Sequence, residues 1–115
     1  MSVTRDKNIN RGDVYWVDLD LAIGSETKKI RPAIIISNNI QNTSSSRVVV
    51  IPVTSNTKFI YPFEAEVKIS EQNAKAMADQ IRTIDKSRLK NYIGKLTKKE
   101  MLDLEKAVKL VLSLE

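Results

Sequence analysis

An arginine and a threonine stand at the ends of two apolar segments of this 115-residue chain. Arg31 comes directly before residues 32–36, and Thr54 comes directly after residues 48–53. A guanidinium donates to two phosphate oxygens at once but stays protonated, so it stabilises charge and does not act as a base. A threonine hydroxyl can donate to a developing oxyanion. If both segments are strands of one sheet, the two side chains border one cleft suited to phosphoryl transfer.

Each of these features also has an ordinary structural interpretation. An arginine before a strand is more often a surface charge, and polar residues after a strand more often form a turn. Spacing alone therefore leaves both interpretations of Arg31 and Thr54 open.

The residue types that are missing restrict the chemistry further. The chain has neither cysteine nor histidine, which excludes disulfides, thiolate metal sites and the commonest general base. Asp18 and Asp20 have the i, i+2 spacing of a possible metal pair, but with no third ligand nearby a solvated strand edge is favoured. We therefore expect a site without metal or cofactor. Trp16 is a candidate for stacking on bases, although its β-rich surroundings favour a place in the core.

The chain is basic, with a formal net charge of +5 and a pI of about 9.5. Between residues 82 and 99 seven lysines and arginines are accompanied by one aspartate. Such a run fits either a polyanionic partner or a solvated surface. No apolar stretch approaches a membrane span, and the polar N-terminus lacks the apolar part of a signal peptide, so we expect a cytoplasmic protein.

Hydrophobic patterning predicts several strands followed by one helix. We expect a flexible lead-in over residues 1–10 and a single domain over residues 11–115. The predicted strands are residues 14–19, 33–36, 48–53, 63–69 and 77–84, with loops at 22–30 and 38–46 and a helical turn from Asp85. This order predicts a mainly β fold, a small antiparallel barrel with a C-terminal helix packed on it.

The C-terminal helix has the clearest local signals. Thr97 and Glu100 have the spacing of a capping box, and Leu96 and Met101 that of a hydrophobic staple. An apolar stripe at helical spacing follows, formed by Leu104, Val108, Val111 and Leu112, with Leu110 and Leu114 outside it. An apolar surface this broad suggests that the helix contacts more than its own sheet.

Five segments resemble the MazF/PemK family of toxins, in the family's order and at similar spacing. They are RGDVY (residues 11–15), GSE (24–26), RPAIIIS (31–37), PVTS (52–55) and DQIRTID (79–85). The resemblance implies an SH3-like barrel and a homodimer. It also implies an endoribonuclease that cleaves single-stranded RNA without metal and leaves a 2′,3′-cyclic phosphate. The implied second partner is an antitoxin with an acidic, partly disordered segment.

The same resemblance implies roles for individual residues. It places the catalytic arginine and threonine at Arg31 and Thr54. It implies RNA contacts for Ser25, Glu26, Ser55 and Gln80. The base that takes the 2′-hydroxyl proton stays open between Glu26, water and a substrate phosphate oxygen. Relatives often have a proline after the first strand, where this chain has Leu21 and Ala22, and this departure leaves the base specificity open.

Two alternative functions fit the same fold. One is a non-catalytic toxin that poisons DNA gyrase, and the other is an inactive RNA-binding module. In the gyrase poison a C-terminal tryptophan is important, whereas the one tryptophan of this chain is Trp16. This difference favours the nuclease.

Overall fold

The computed structural model describes residues 8–19 and 30–115. Within these residues the elements are β1 (Asp13–Asp18), β2 (Ile30–Ile35), α1 (Asn39–Ser44), β3 (Arg47–Thr54), β4 (Glu64–Ile69), β5 (Gln72–Met77), β6 (Arg82–Asp85), β7 (Leu89–Lys95) and α2 (Lys98–Leu112). The strands pair antiparallel in the order β4-β5-β3-β2-β1-β7, and β6 pairs with β3. The sheet curls into a half-barrel and α2 packs against it, which confirms the predicted fold class.

The two central strands, β2 and β3, are buried on both faces. Ile34 and Ile51 lie opposite each other and pack in one core cluster with Leu104 of α2. Ile35 and Val50 also lie opposite each other but belong to a second cluster, on the other face. This division follows from the alternation of side chains along a strand, and it confirms that the two apolar runs are buried strands.

Helix α2 begins as its local sequence predicts. The Thr97 hydroxyl accepts from the Glu100 N–H at 3.1 Å, and the Glu100 carboxylate accepts from the Thr97 N–H at 2.8 Å. Leu96 is buried and Met101 packs on the same cluster, as a hydrophobic staple does. Leu112 is exposed, so the predicted apolar stripe does not extend to the last residue of the helix.

Three predictions about the strands and loops were wrong. Residues 77–84 are not one strand, because β5 ends at Met77, a 3-10 helix spans Ala78–Gln80, and β6 begins at Arg82. Strands β5 and β7 were not predicted at all. The predicted loop at 38–46 contains α1, whose first turn is capped by Asn38, which accepts from the Gln41 N–H at 2.8 Å.

The β4–β5 hairpin explains one of these errors. Its two central residues, Ser70 and Glu71, both have positive φ, at 50° and 67°, the pattern of a type I′ turn. This turn type strongly favours asparagine and glycine, so a Ser-Glu pair does not indicate a hairpin in the sequence, and strand β5 after it was missed. The helical turn predicted from Asp85 is confirmed as the 3-10 helix Lys86–Arg88, which Asp85 caps.

Two further expectations concern exposure. Trp16 is 43% exposed, so the preference for a core position was wrong. Among the described residues, no helix is long and apolar enough to cross a membrane.

Candidate functional site

The sheet divides at Pro52, and this division opens a cavity. β3 makes its last pair with β6 at Val50 and its first pair with β5 at Val53. Proline has no backbone N–H and is therefore suited to a position where a strand exchanges one neighbour for another. The 3-10 helix Ala78–Gln80 spans the gap between β5 and β6.

The cavity beside this division has a volume of about 380 Å³ and is rich in basic side chains. Its lining consists of Leu19, Arg31, Pro52, Thr54, Asn56, Lys75, Met77, Gln80 and Arg82. We call it the basic cavity. Three residues singled out from the sequence, Arg31, Thr54 and Gln80, therefore lie around one space.

A second cavity, of about 430 Å³, adjoins the first. Trp16, Ser55 and Asn73 are among its lining residues, and we call it the tryptophan cavity. Arg31 and Thr54 line both cavities, so they form the boundary between the two. Ser55 and Gln80 thus lie in different cavities, on opposite sides of the boundary formed by Arg31 and Thr54.

Strand register explains why Arg31 and Thr54 meet. Ala33 of β2 is paired with Pro52 of β3 in antiparallel register. Arg31 and Thr54 lie two residues beyond this last pair on their strands, and side chains two apart share one face of a strand, so both are carried to the same end of the paired strands. The pair is therefore held by two central strands rather than by loops.

The three cations of the basic cavity differ in the groups they contact. Lys75 is buried and forms an ion pair with Glu64 at 2.9 Å. The Arg82 guanidinium donates to the Leu19 carbonyl at 3.2 Å. Within residues 8–19 and 30–115, no carboxylate forms an ion pair with Arg31. The Arg31 guanidinium lies at the boundary of the two cavities, where it can meet an anion that enters either one.

The Thr54 hydroxyl is oriented by the chain that follows it. Its oxygen accepts from the Asn56 N–H at 3.3 Å. A hydroxyl that accepts from a backbone N–H keeps its own hydrogen available to donate. Thr54 can therefore donate to an oxygen placed beside Arg31.

Among the residues that the structure describes, the groups with displaced pKa values line neither cavity. Burial, assisted by the charge of Asp13 and by Tyr92, raises the pKa of Tyr15 to about 12, so this phenol is neutral at physiological pH. The pKa of Asp85 is lowered, mainly by the hydrogen bond from the Ser87 N–H. No carboxylate is among the described lining residues of either cavity. The described part of the chain thus offers no carboxylate base at the boundary.

Several predicted residues lie elsewhere or outside the described residues. Ser25, Glu26 and Asp20 belong to the segment that the structure does not describe. Asp18 forms an ion pair with Arg88 at 3.9 Å. The described residues contain no group of three or more side chains able to hold a metal ion.

The basic run of residues 82–99 contributes one residue to the basic cavity, Arg82. Lys95 instead forms an ion pair with the buried Asp13, and Lys99 forms one with Asp103 on the surface of α2. Lys75 was not predicted as a site residue, because it lies in the unpredicted strand β5.

Comparisons with known proteins agree on one family. A family profile described as "PemK-like, MazF-like toxin of type II toxin-antitoxin system" matches residues 10–112. Endoribonuclease MazF9 of Mycobacterium tuberculosis is 38% identical, with 92% of this chain and 98% of the relative covered. Endoribonuclease EndoA of Bacillus subtilis is 34% identical, with 92% of this chain and 96% of the relative covered.

Solved structures show the same similarity in three dimensions. An endoribonuclease from a mycobacterial species, in complex with its cognate antitoxin, matches with a TM-score of 0.79 and 29% identity, over 93% of this chain and 97% of that one. MazF from Deinococcus radiodurans matches with a TM-score of 0.80 and 23% identity, over 95% of this chain and 100% of that one. The second match bears on the fold alone.

Proposed function

Because the chain belongs to the PemK-like, MazF-like family of toxins of type II toxin–antitoxin systems, we propose that it is an endoribonuclease. Its substrate is single-stranded RNA, and cleavage requires no metal ion. The protein acts in the cytoplasm. The observation that supports this most directly is that Arg31 and Thr54 lie together at the boundary of two cavities. The catalytic domain comprises residues 11–115, preceded by the lead-in of residues 1–10.

The reaction is an internal transfer of the phosphoryl group. The 2′-oxygen forms a bond to the adjacent phosphorus, and the bond from phosphorus to the 5′-oxygen breaks. The 2′-hydroxyl proton passes to a base, for which Glu26, water and a substrate phosphate oxygen remain the candidates. A proton reaches the leaving 5′-oxygen, which gives a 2′,3′-cyclic phosphate and a 5′-hydroxyl.

The two boundary residues stabilise the charge that develops in this step. The Arg31 guanidinium donates to two phosphoryl oxygens with a geometry that a lysine does not reproduce. The Thr54 hydroxyl supplies a further donor, already oriented by Asn56. Since both residues lie on central strands, the donors need little rearrangement when the charge forms.

The remaining predicted residues have binding roles in this proposal. Gln80 contacts RNA in the basic cavity and Ser55 contacts RNA in the tryptophan cavity. Ser25 and Glu26 contact RNA from the segment between β1 and β2. RNA therefore passes over the boundary, with nucleotides in the cavities on either side of the cleaved bond.

The decisive experiment is cleavage of a long RNA by the pure protein in excess EDTA, followed by mapping of the new ends. We expect cleavage at defined sequences, with 5′-hydroxyl and cyclic phosphate ends. Protein with the substitution Arg31→Ala, purified in the same way, controls for contaminating nucleases. Cleavage that is lost in EDTA and restored by magnesium or manganese would overturn the metal-free mechanism. Binding of RNA without cleavage would instead favour the inactive RNA-binding module.

We further propose a homodimer. Four leucines at the C-terminal end of the chain are about half exposed, namely Leu102, Leu110, Leu112 and Leu114. A group of apolar side chains left open on a monomer promotes association. A second copy of the chain would cover them.

The other proposed partner is an antitoxin with an acidic, partly disordered segment. The arginine and lysine side chains that attract phosphates at the basic cavity attract carboxylates as well. A disordered segment can cover a long groove and is readily removed when free. A structurally similar endoribonuclease was solved with its cognate antitoxin, which supports such a partner here.

A further inference from the structure

Three aromatic side chains form an exposed stack in the loop between β3 and β4. The Tyr61 and Phe63 rings are 5.1 Å apart with an interplanar angle of 2°, and the Phe59 ring lies 6.5 Å from that of Tyr61 at 29°. Phe59 is 67% exposed and Tyr61 is 50% exposed. We call these three residues the aromatic ladder. Since the rings of Phe59 and Tyr61 are half or more exposed to water, packing in the core does not account for them.

Hydrogen bonds fix the loop that presents the ladder. The Asn56 side chain accepts from the Lys58 N–H at 3.2 Å, just after Asn56 itself donates to Thr54. The Glu64 carboxylate accepts from the Tyr61 N–H at 3.0 Å. These contacts tie the loop down at both ends, so the rings are held in place before any ligand binds.

Lys75 joins the ladder to the basic cavity. Its ammonium donates to the Phe59 carbonyl at 2.7 Å, pairs with Glu64, and lies 5.6 Å from the centre of the Tyr61 ring. Lys75 and Asn56 also line the basic cavity. The same two residues therefore contact both the loop of the ladder and the space beside Arg31.

We propose that the aromatic ladder is a stacking subsite for a base of the single-stranded RNA, beyond the nucleotides held at Arg31 and Thr54. This inference rests on the proposed function. Phe59 is the outer ring of the stack and the most exposed one, so a base extends the stack on its open face. Unpaired bases stack on aromatic rings whatever their sequence, and the exposed cation Lys58, which precedes Phe59, suits an adjoining phosphate.

A base is a better occupant than a protein side chain for two reasons. The exposed surface consists of the stacked rings of Phe59 and Tyr61, and unpaired bases bind aromatic side chains by stacking on such ring faces. The ladder also adjoins a cavity that contains Arg31 and Arg82, whose charges complement a phosphate backbone.

The test measures RNA affinity separately from cleavage. The probe is a fluorescein-labelled 2′-O-methyl RNA of randomised sequence, about 12 nucleotides long, which has no 2′-hydroxyl to attack. Phe59→Leu retains apolar bulk but removes the aromatic face, and Phe59→Trp retains that face. Ile40→Ala, at an exposed apolar residue of α1, is the matched control.

By fluorescence anisotropy, Phe59→Leu is expected to weaken binding by about 5-fold or more, the lower end for one base–aromatic stack. Phe59→Trp should bind at least as tightly as the unmodified protein, and Ile40→Ala should not differ from it. With cleavable RNA, Phe59→Leu should raise KM and leave kcat unchanged. Such a result separates the subsite from the reacting groups.

Equal affinity of the Phe59→Leu and unmodified proteins for the probe would overturn the proposal. An altered sedimentation coefficient with unchanged RNA affinity would overturn it too, and would assign the ladder to a protein contact. Failure of the nuclease proposal gives a different pattern. The unmodified protein would then leave RNA uncut, while Phe59→Leu would still weaken binding.

Discussion

Removing the guanidinium at the cavity boundary should slow RNA cleavage far more than it affects folding. In the proposed reaction, the phosphoryl oxygens gain about one negative charge beside Arg31. A unit charge about 4 Å away contributes ~4 kcal/mol at the effective dielectric constant of a protein surface. Arg31 is only half-buried, and solvent screening lowers this to ~3 kcal/mol. Since each 1.36 kcal/mol is about tenfold in rate, Arg31→Ala should cleave roughly 100- to 1000-fold more slowly.

Single-turnover cleavage of a labelled RNA containing a mapped cut site measures this effect without interference from product release. Arg47→Ala is the matched control, because Arg47 is exposed at the opposite end of β3 and lines neither cavity. The cleavage rate of Arg31→Lys should fall between those of Arg31→Ala and Arg47→Ala, since lysine keeps the charge but loses the two-pronged donor. Thermal unfolding should show Arg31→Ala to be folded, because Arg31 belongs to neither core cluster. Near-normal cleavage by the folded variant would refute the assignment.

Four further outcomes are expected. Thr54→Ala should reduce single-turnover cleavage by about 10- to 100-fold, less than the loss of the charged group. Thr54→Ser should retain much of the cleavage rate. The control variant Thr83→Ala, at an exposed residue of β6, should cleave at the rate of the unmodified protein. Sedimentation at micromolar concentration should show a dimer that Leu110→Lys weakens, and a monomeric unmodified protein would contradict the proposed assembly. An acidic antitoxin peptide should compete with the 2′-O-methyl RNA and associate more slowly as salt rises, whereas simultaneous binding without mutual weakening would exclude occlusion of the site. Leu104→Ala should lower the free energy of unfolding in urea by about 2–5 kcal/mol, because Leu104 is fully buried between α2 and the sheet, and an unchanged midpoint would contradict that packing.

Elements with local signals could be predicted from neighbouring residues alone. The capping box of Thr97 and Glu100 lies within one helical turn, so neighbouring residues suffice to specify where α2 begins. The apolar runs of β2 and β3 require burial on both faces wherever the strands lie, so these runs indicated central strands directly. The family motifs also indicated Arg31 and Thr54.

Local signals did not specify the strands with mixed composition. β5 contains glutamine, asparagine and lysine, and it follows a turn made by Ser70 and Glu71 in backbone conformations that these residues seldom adopt. The hairpin with β4 exists because Ala74 and Ala76 are buried when β4 and β5 pair. Such burial depends on the partner strand and leaves little trace in the sequence of β5 itself.

The assembly of the site depends on contacts between distant parts of the chain. The pairing of Ala33 with Pro52 brings together the strand ends that carry Arg31 and Thr54, and the basic cavity lies where β3 exchanges β6 for β5 beside Pro52. Lys75 reaches that cavity from the unpredicted strand. Register arises from contacts between residues far apart in the chain, whereas spacing along the chain reports only on near neighbours. The sequence therefore indicated Arg31, Thr54 and Gln80, but neither Lys75 nor the arrangement of the four residues around one cavity.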